Sequence, residues 1–214
     1  MVTADSPPQP RRRSRSLVLW LPAVGAVWLL AAGLHLFGLR IANLWLLGTL
    51  VHLAGWLAAI TVTALAVLLT WRAGGPRRAA LVLVPGVLAP AVIVAVDWTS
   101  LYVHHFYRLH RADFAAAAAL DDKITARYDD RYGQLLPDDL QHLSAGGRAV
   151  RLDTGADAGP TAPFLPVRIG SPDGASGYAH LTGAAIGTTF DCFAAPCRVR
   201  WSLGDGWYWL DGPG

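Results

Sequence analysis

Three long apolar runs occupy the N-terminal part of the chain. Leu17 to Leu39 carries no charge over 23 residues, Asn43 to Trp71 carries none over 29, and Ala79 to Val96 forms the third run. About 20 apolar residues suffice to cross the hydrocarbon core of a bilayer, so each run predicts a transmembrane helix. Arg40, Ile41 and Ala42 form a very short link, which makes the first two spans an antiparallel hairpin. Arg72 to Arg78 reads as a tight basic loop punctuated by Gly and Pro. Pro22 lies near the start of the first span, where a helix tolerates it, whereas Pro85 and Pro90 predict a kink in the third. The first run is too long for the apolar core of a cleaved signal peptide.

The pattern then changes. From Ser100 to Leu120 it is helical, with Tyr102, Val103, Phe106, Leu109, Phe114, Ala117 and Leu120 on one face and His104, Arg108 and Arg111 opposite. This spacing allows one helix that continues the third span out of the membrane. After Ala145-Gly146-Gly147, six short stretches separated by Gly, Pro, Asp and Ser read as strands: Ala149 to Leu152, Phe164 to Ile169, Tyr178 to Leu181, Thr188 to Cys192, Cys197 to Leu203 and Trp207 to Leu210. In the last pair, Val199, Trp201 and Leu203 alternate with Arg198, Arg200 and Ser202. Gly204-Asp205-Gly206 then predicts a hairpin with a three-residue loop.

The expected architecture is three transmembrane α-helices followed by a small α+β domain, an N-terminal helix and an antiparallel sheet. Its parts are a disordered basic tail at 1–16, spans at 17–39, 43–71 and 79–98, a loop at 72–78, and the domain at 99–214.

Charge gives this layout a direction. Residues 1–98 hold eight Arg against Asp5 and Asp97, a balance of +6, and residues 99–214 hold ten Lys or Arg against thirteen Asp, a balance of −3. Near the span ends, the tail and the 72–78 loop carry seven Arg, whereas the other side carries Arg40, Arg108 and Arg111. The positive-inside rule therefore predicts a cytoplasmic N-terminus and an extracytoplasmic C-terminal domain. Trp20, Trp45, Trp71 and Trp98 lie near span ends, as interface anchors do. The soluble part is mildly acidic, which excludes nucleic-acid binding. Lys123 is the only lysine and glutamate is absent, so no mechanism can rest on Glu.

Cys192 and Cys197 are the only cysteines. A disulfide between them would close a tight loop between two strands and would persist only in an oxidising compartment. Two Cys without a nearby Cys or His pair make a poor zinc site.

The remaining chemistry-bearing residues are His35 and His52 inside the spans, and His104, His105, His110 and Asp113 beyond them. An intramembrane histidine such as His52 raises a relay hypothesis. The hairpin places His35 and His52 about 7–8 Å apart in depth, and neutral histidines there can hydrogen-bond a neighbour. On a helix, His110 and Asp113 share one side at i, i+3 while His104 and His105 point away, so the four cannot converge on one ion. The expected contact is a buried His110–Asp113 hydrogen bond near the membrane surface, and a metal site would need distant help from His142 or His180. The Asp pairs at 121/122, 129/130 and 138/139 read as a solvated surface with local ion pairs. Trp201, Trp207, Tyr208 and Trp209 could stack on a sugar, but their alternation favours the core of a small sheet, with Arg198 and Arg200 over a ring. No nucleophile elbow, Walker sequence or dinucleotide fingerprint is present. No residue is assigned as catalytic, cofactor-binding or metal-ligating, and no cofactor is expected.

The Arg-rich N-terminus, the spans rich in Ala, Leu, Val and Trp, and the Lys-poor C-terminal domain together resemble the uncharacterised small integral membrane proteins of actinobacteria. The resemblance covers the whole chain and implies no activity and no site residues. The expected function is a membrane-anchored domain that binds or senses at the cell surface, or an accessory subunit. Its partners would be the lipid bilayer and another membrane or cell-surface protein. Two alternatives are an extracytoplasmic hydrolase using His110, Asp113 and an Asp pair, and a transport component using His52.

Overall fold

The computed structural model describes residues 15–44, 46–126, 133–152, 162–169, 174–193 and 195–212. The disorder expected of the basic tail falls outside these residues up to Ser14, as do Trp45, Asp129 and Asp130. Arg15 and Ser16 instead open the first helix.

The helices are α1 (Arg15–Leu36), the short α2 (Gly38–Ile41), α3 (Leu46–Gly74), α4 (Pro76–Ala95), α5 (Trp98–Leu109) and α6 (Arg111–Ala118). The strands are β1 (Gln134–Leu135), β2 (Arg148–Leu152), β3 (Ala162–Ile169), β4 (Ala175–His180), β5 (Thr189–Asp191), β6 (Pro196–Gly204) and β7 (Trp207–Asp211). The chain divides into two compact units. One comprises residues 1–35 and 49–97, and the other comprises 36–48 and 98–214.

The first unit holds α1, α3 and α4. Of these, α3 and α4 are long and apolar enough to cross a membrane, and a third span exists if α1 and the short segment after it count as one bent span. Small side chains line the seam. Ala59, Thr63, Ala66 and Thr70 on α3 are buried, as are Ala79, Val82, Gly86 and Ile93 on α4 and Val24, Trp28 and Ala31 on α1. The large residues Leu29, Leu57, Leu81 and Val94 point outward, from 60% to 76% exposed. Ala, Gly and Thr at the seam let the helix backbones approach closely, with Trp28, Val82 and Ile93 filling the remaining space. A Cβ on Gly86 would collide with the Thr63 methyl, so α4 approaches α3 on glycine. Trp28 Nε1 donates to Thr63 Oγ1 at 3.1 Å, linking α1 to α3.

Two expected loops are much altered. The basic stretch Arg72–Arg78 is almost wholly helical, and only Gly75 separates α3 from α4. Gly75 takes φ 78°, which glycine reaches without strain, and Pro76 opens α4 at its first position, where its missing N–H costs nothing. The link after α1 is longer than Arg40-Ile41-Ala42, because α1 stops at Leu36 and a turn of α-helix and a 3-10 turn (Ala42–Leu44) follow.

In the second unit the seven strands form one antiparallel sheet in the order β1-β2-β3-β4-β7-β6-β5. All six expected strands are present, and β1 adds a short edge pair with β2. The sheet curls and buries both faces. Leu165, Val167, Tyr178, Trp207 and Trp209 face α5 and α6, and pack on Val103, Tyr107, Phe114 and Ala117. Val150, Leu152, Phe164, Ala179, Val199 and Leu210 face the other way, around Cys192 and Cys197. The register keeps these sets apart, since Tyr178 pairs with both Leu165 and Trp209, and Ala179 pairs with Phe164. Burial on both faces explains why β3 reads as a continuous apolar run rather than an alternation.

Four expectations are corrected here. The helical region is not one helix joined to the third span. Val96 is extended, ending α4, and a second break at His110 (φ −107°, ψ 26°) separates α5 from α6. Leu109 is therefore 69% exposed, and Tyr107 takes the buried place. The last hairpin has a two-residue loop, because Gly204 pairs with Trp207. Asp205 and Gly206 both take positive φ, the type I′ turn that suits a right-twisted ribbon. Finally, Asp121 does not pair locally, because its partner at 2.9 Å is Arg151 on β2.

Candidate functional site

The break at His110 turns the start of α6 so that His110 Nδ1 meets Asp113 Oδ2 at 3.0 Å. The expected hydrogen bond is thus present, but it is partly exposed and not buried. A third side chain joins it. His142 lies in a 3-10 turn (Gln141–Leu143), with Leu140 and Leu143 buried on either side of it. His142 Nε2 lies 3.1 Å from His110 Nδ1 and 3.1 Å from Asp113 Oδ2. Among the described residues, these three form the group of metal-ligating side chains whose ligand atoms all lie within 4.8 Å of one another. The side chains are 26% exposed for His110 and 38% for Asp113 and His142, so the cluster opens to solvent. Phe106 walls its inner side, with its ring centroid 4.5 Å from that of His110 and 6.5 Å from that of His142.

The other histidines lie elsewhere. His104 turns back on its own helix, with Nδ1 2.8 Å from the Ser100 carbonyl oxygen. His105 is exposed. The His180 ring lies against Trp207, tilted, with centroids 5.2 Å apart. The distant help thus comes from His142 and not from His180. Among the described residues, no member of the Asp pairs joins the cluster: Asp121 is held by Arg151, and Asp138 Oδ1 accepts from Gln141 Nε2 at 2.8 Å.

In the helical unit, the rings of His35 and His52 are 5.3 Å apart at near-perpendicular planes, and Trp56 Nε1 donates to His35 Nε2 at 3.0 Å. The two rings are in aromatic contact.

Cys192 and Cys197 are joined as a disulfide, and both are fully buried in the second sheet core. Trp207 and Trp209 are buried in the first core, and Trp201 packs beside them. The Arg200 guanidinium lies 4.6 Å from the Trp201 ring centroid. These tryptophans are core, not a stacking platform.

Two features had no sequence signal. Asn43, in the link after α1, donates to the Val167 carbonyl at 2.8 Å and accepts from the Ile169 N–H at 3.1 Å. Its amide stands in for a strand beside the end of β3, where β2 no longer pairs. Secondly, Arg111 grips Asp205 with two bonds, at 2.7 and 3.0 Å, and Tyr107 donates to the same carboxylate at 3.0 Å. These bonds tie the β6–β7 turn to α5 and α6. The Arg111 fork, then the Tyr107 hydroxyl, hold the Asp205 carboxyl below its usual range. Burial, then the Asp205 hydrogen bond, push the Tyr107 hydroxyl up to about 12.

No protein-family model, no curated protein and no solved structure matches this chain.

Proposed function

We propose that this chain is a multi-pass membrane protein, with its N-terminus in the cytoplasm and the 98–214 domain at the extracytoplasmic face as a non-catalytic binding or sensing module. The observation that carries this reading is the composition of the second unit. Residues 36–48, which run from the last residue of α1 into the first turn of α3, fold into the same compact body as residues 98–214. With α3 and α4 crossing the bilayer in turn, the segment before α3 and the segment after α4 emerge on one side, as a shared body requires. The seven Arg of the tail and the 72–78 stretch orient that side away from the cytoplasm. The buried disulfide supports the same orientation, because such bonds persist in oxidising compartments.

A binding role is favoured over hydrolysis because, among the described residues, Asp121 and Asp138 of the Asp pairs are engaged with Arg151 and Gln141. The partners that suit the reading are the bilayer and another membrane or cell-surface protein. The test is an assay of the full-length protein in detergent against ester, phosphate and peptide substrates, with and without chelator. The reading expects no turnover under either condition. Turnover that chelator abolishes would replace it with the hydrolase alternative.

A further inference from the structure

We propose that His110 Nδ1, Asp113 Oδ2 and His142 Nε2 form a binding site for one divalent transition-metal ion, of the zinc class. This inference does not depend on the membrane orientation or on the absence of catalysis.

The three atoms make a nearly equilateral triangle with edges of 3.0, 3.1 and 3.1 Å. An ion about 2.1 Å from each atom, the usual distance for zinc to imidazole nitrogen and carboxylate oxygen, sits about 1 Å off their plane. That position caps one face of a coordination shell and leaves the other positions to water or a further ligand. The partial exposure of all three side chains supplies the way in.

Each imidazole nitrogen in the triangle carries either one N–H or one lone pair, and an ionised carboxylate carries only acceptors. If both nitrogens are protonated, two N–H groups face each other at 3.1 Å. If only one is, the other nitrogen turns its lone pair toward the carboxylate oxygen at 3.0 or 3.1 Å. If neither is, all three lone pairs converge. With the carboxylate ionised, every assignment of hydrogen bonds leaves at least one like-against-like contact. A cation above the plane satisfies all three atoms at once, because each then directs a lone pair at it.

His110 and Asp113 are set by the helix break, while His142 is set by a separate turn whose Leu140 and Leu143 are buried. The His142 main-chain carbonyl accepts from Arg40 Nη2 at 2.7 Å. The ligands thus come from two independently anchored elements, and a site held by packed supports does not have to be assembled by the ion. Two imidazoles and one carboxylate suit zinc and its first-row neighbours rather than calcium or magnesium, which take all-oxygen shells.

The experiment uses the full-length, tag-free protein in detergent, stripped with chelator and dialysed. Zinc is titrated by calorimetry, and cobalt(II) is added separately to read its visible absorption. The proposal expects one ion bound per chain, and cobalt bands that zinc displaces. It also expects zinc to raise the melting temperature of the wild type. H142A and D113N each weaken zinc binding at least about tenfold, as loss of one of three protein ligands requires. D113N keeps the size and a polar oxygen at its position, so it guards against a variant that merely fails to fold. H105A, at an exposed position outside the cluster, binds zinc like the wild type. The proposal is overturned if the stripped wild type takes up no stoichiometric zinc. It is also overturned if H142A and D113N bind zinc as tightly as H105A does.

Discussion

The guanidinium of Arg40 donates to the main-chain carbonyl of His142 at 2.7 Å, across a separation of 102 residues. The same side chain donates to the Tyr102 hydroxyl at 2.6 Å and lies 5.0 Å from the Phe106 ring centroid. Arg40 therefore joins the segment after α1 to α5 and to the turn that carries His142. At the sequence level it counts as one charge beside a span end, whereas in the structure it is a cross-brace. R40A removes both donors and the ring contact. A hydrogen bond from a charged donor is worth about 1.5–3 kcal/mol, and partial exposure of this one argues for the lower end. The melting temperature of the detergent-purified protein should fall by several degrees. R40K keeps the charge but loses the planar fork, so it should recover less than half of that loss.

Asn43 makes a second brace, donating to Val167 and accepting from Ile169 as a neighbouring strand does. N43A loses both bonds, at about 1 kcal/mol each. N43D keeps the acceptor for the Ile169 N–H but sets a carboxylate oxygen against the Val167 carbonyl. It should therefore melt at or below the temperature of N43A. If N43D melts like the wild type, the strand-mimic reading of this side chain is wrong.

Within the helical unit, Gly86 on α4 faces Thr63 on α3 with no room for a Cβ unless Thr63 moves. The Thr63 hydroxyl is also committed, accepting from Trp28 and donating to the Ala59 carbonyl. G86V forces the helices apart and should cost about 1–3 kcal/mol, as overpacking usually does. T63A frees the space but loses the Trp28 contact, a smaller loss of about 0.6 kcal/mol for a hydrogen bond between membrane helices. Steric trapping or denaturant unfolding in detergent ranks the two variants.

The Tyr107–Asp205–Arg111 group predicts a pH dependence of opposite sign at its two ends. Asp205 titrates below its unfolded value, so its contribution is complete above about pH 4 and fades as pH falls through the lower folded value. Tyr107 titrates near 12 when folded against about 10 when unfolded, so its contribution is complete below about pH 10 and fades as pH rises toward 12. D205N should lower the melting temperature slightly at pH 7 and lose its effect in acid. Y107F removes a hydroxyl that donates to Asp205 and to the Gly204 carbonyl, at about 1 kcal/mol. A D205N defect that persists unchanged in acid would contradict the account.

Much of the sheet was legible because period-2 alternation and turn residues are local signals. Val199 and Trp201 against Arg198 and Arg200 mark β6, and Asp205-Gly206 marks the turn into β7. The apolar runs were equally plain, since uncharged length alone identifies them. Other features depend on distant partners. Nothing local stops the helix at His110, whose break serves the packing of Phe114 and Ala117 on the sheet. Nothing near His142 announces a partner 29 residues earlier, because its turn is placed by the burial of Leu140 and Leu143. The link after α1 looked like a mere connector because Arg40 and Asn43 act only through residues far along the chain. Hence the His110–Asp113 pair could be read from spacing, whereas its third member was one of two distant options.

The central claim is that residues 36–48 and 98–214 stand together on the extracytoplasmic side. Cysteine accessibility tests it most directly. Ser202 is exposed on β6 and Ala73 is exposed at the end of α3, while both native cysteines are buried and joined to each other. S202C should react with a membrane-impermeant maleimide in intact cells, and A73C only after the membranes are opened. Labelling of A73C but not S202C in intact cells would contradict the orientation, and equal labelling of both would contradict the membrane-spanning account itself.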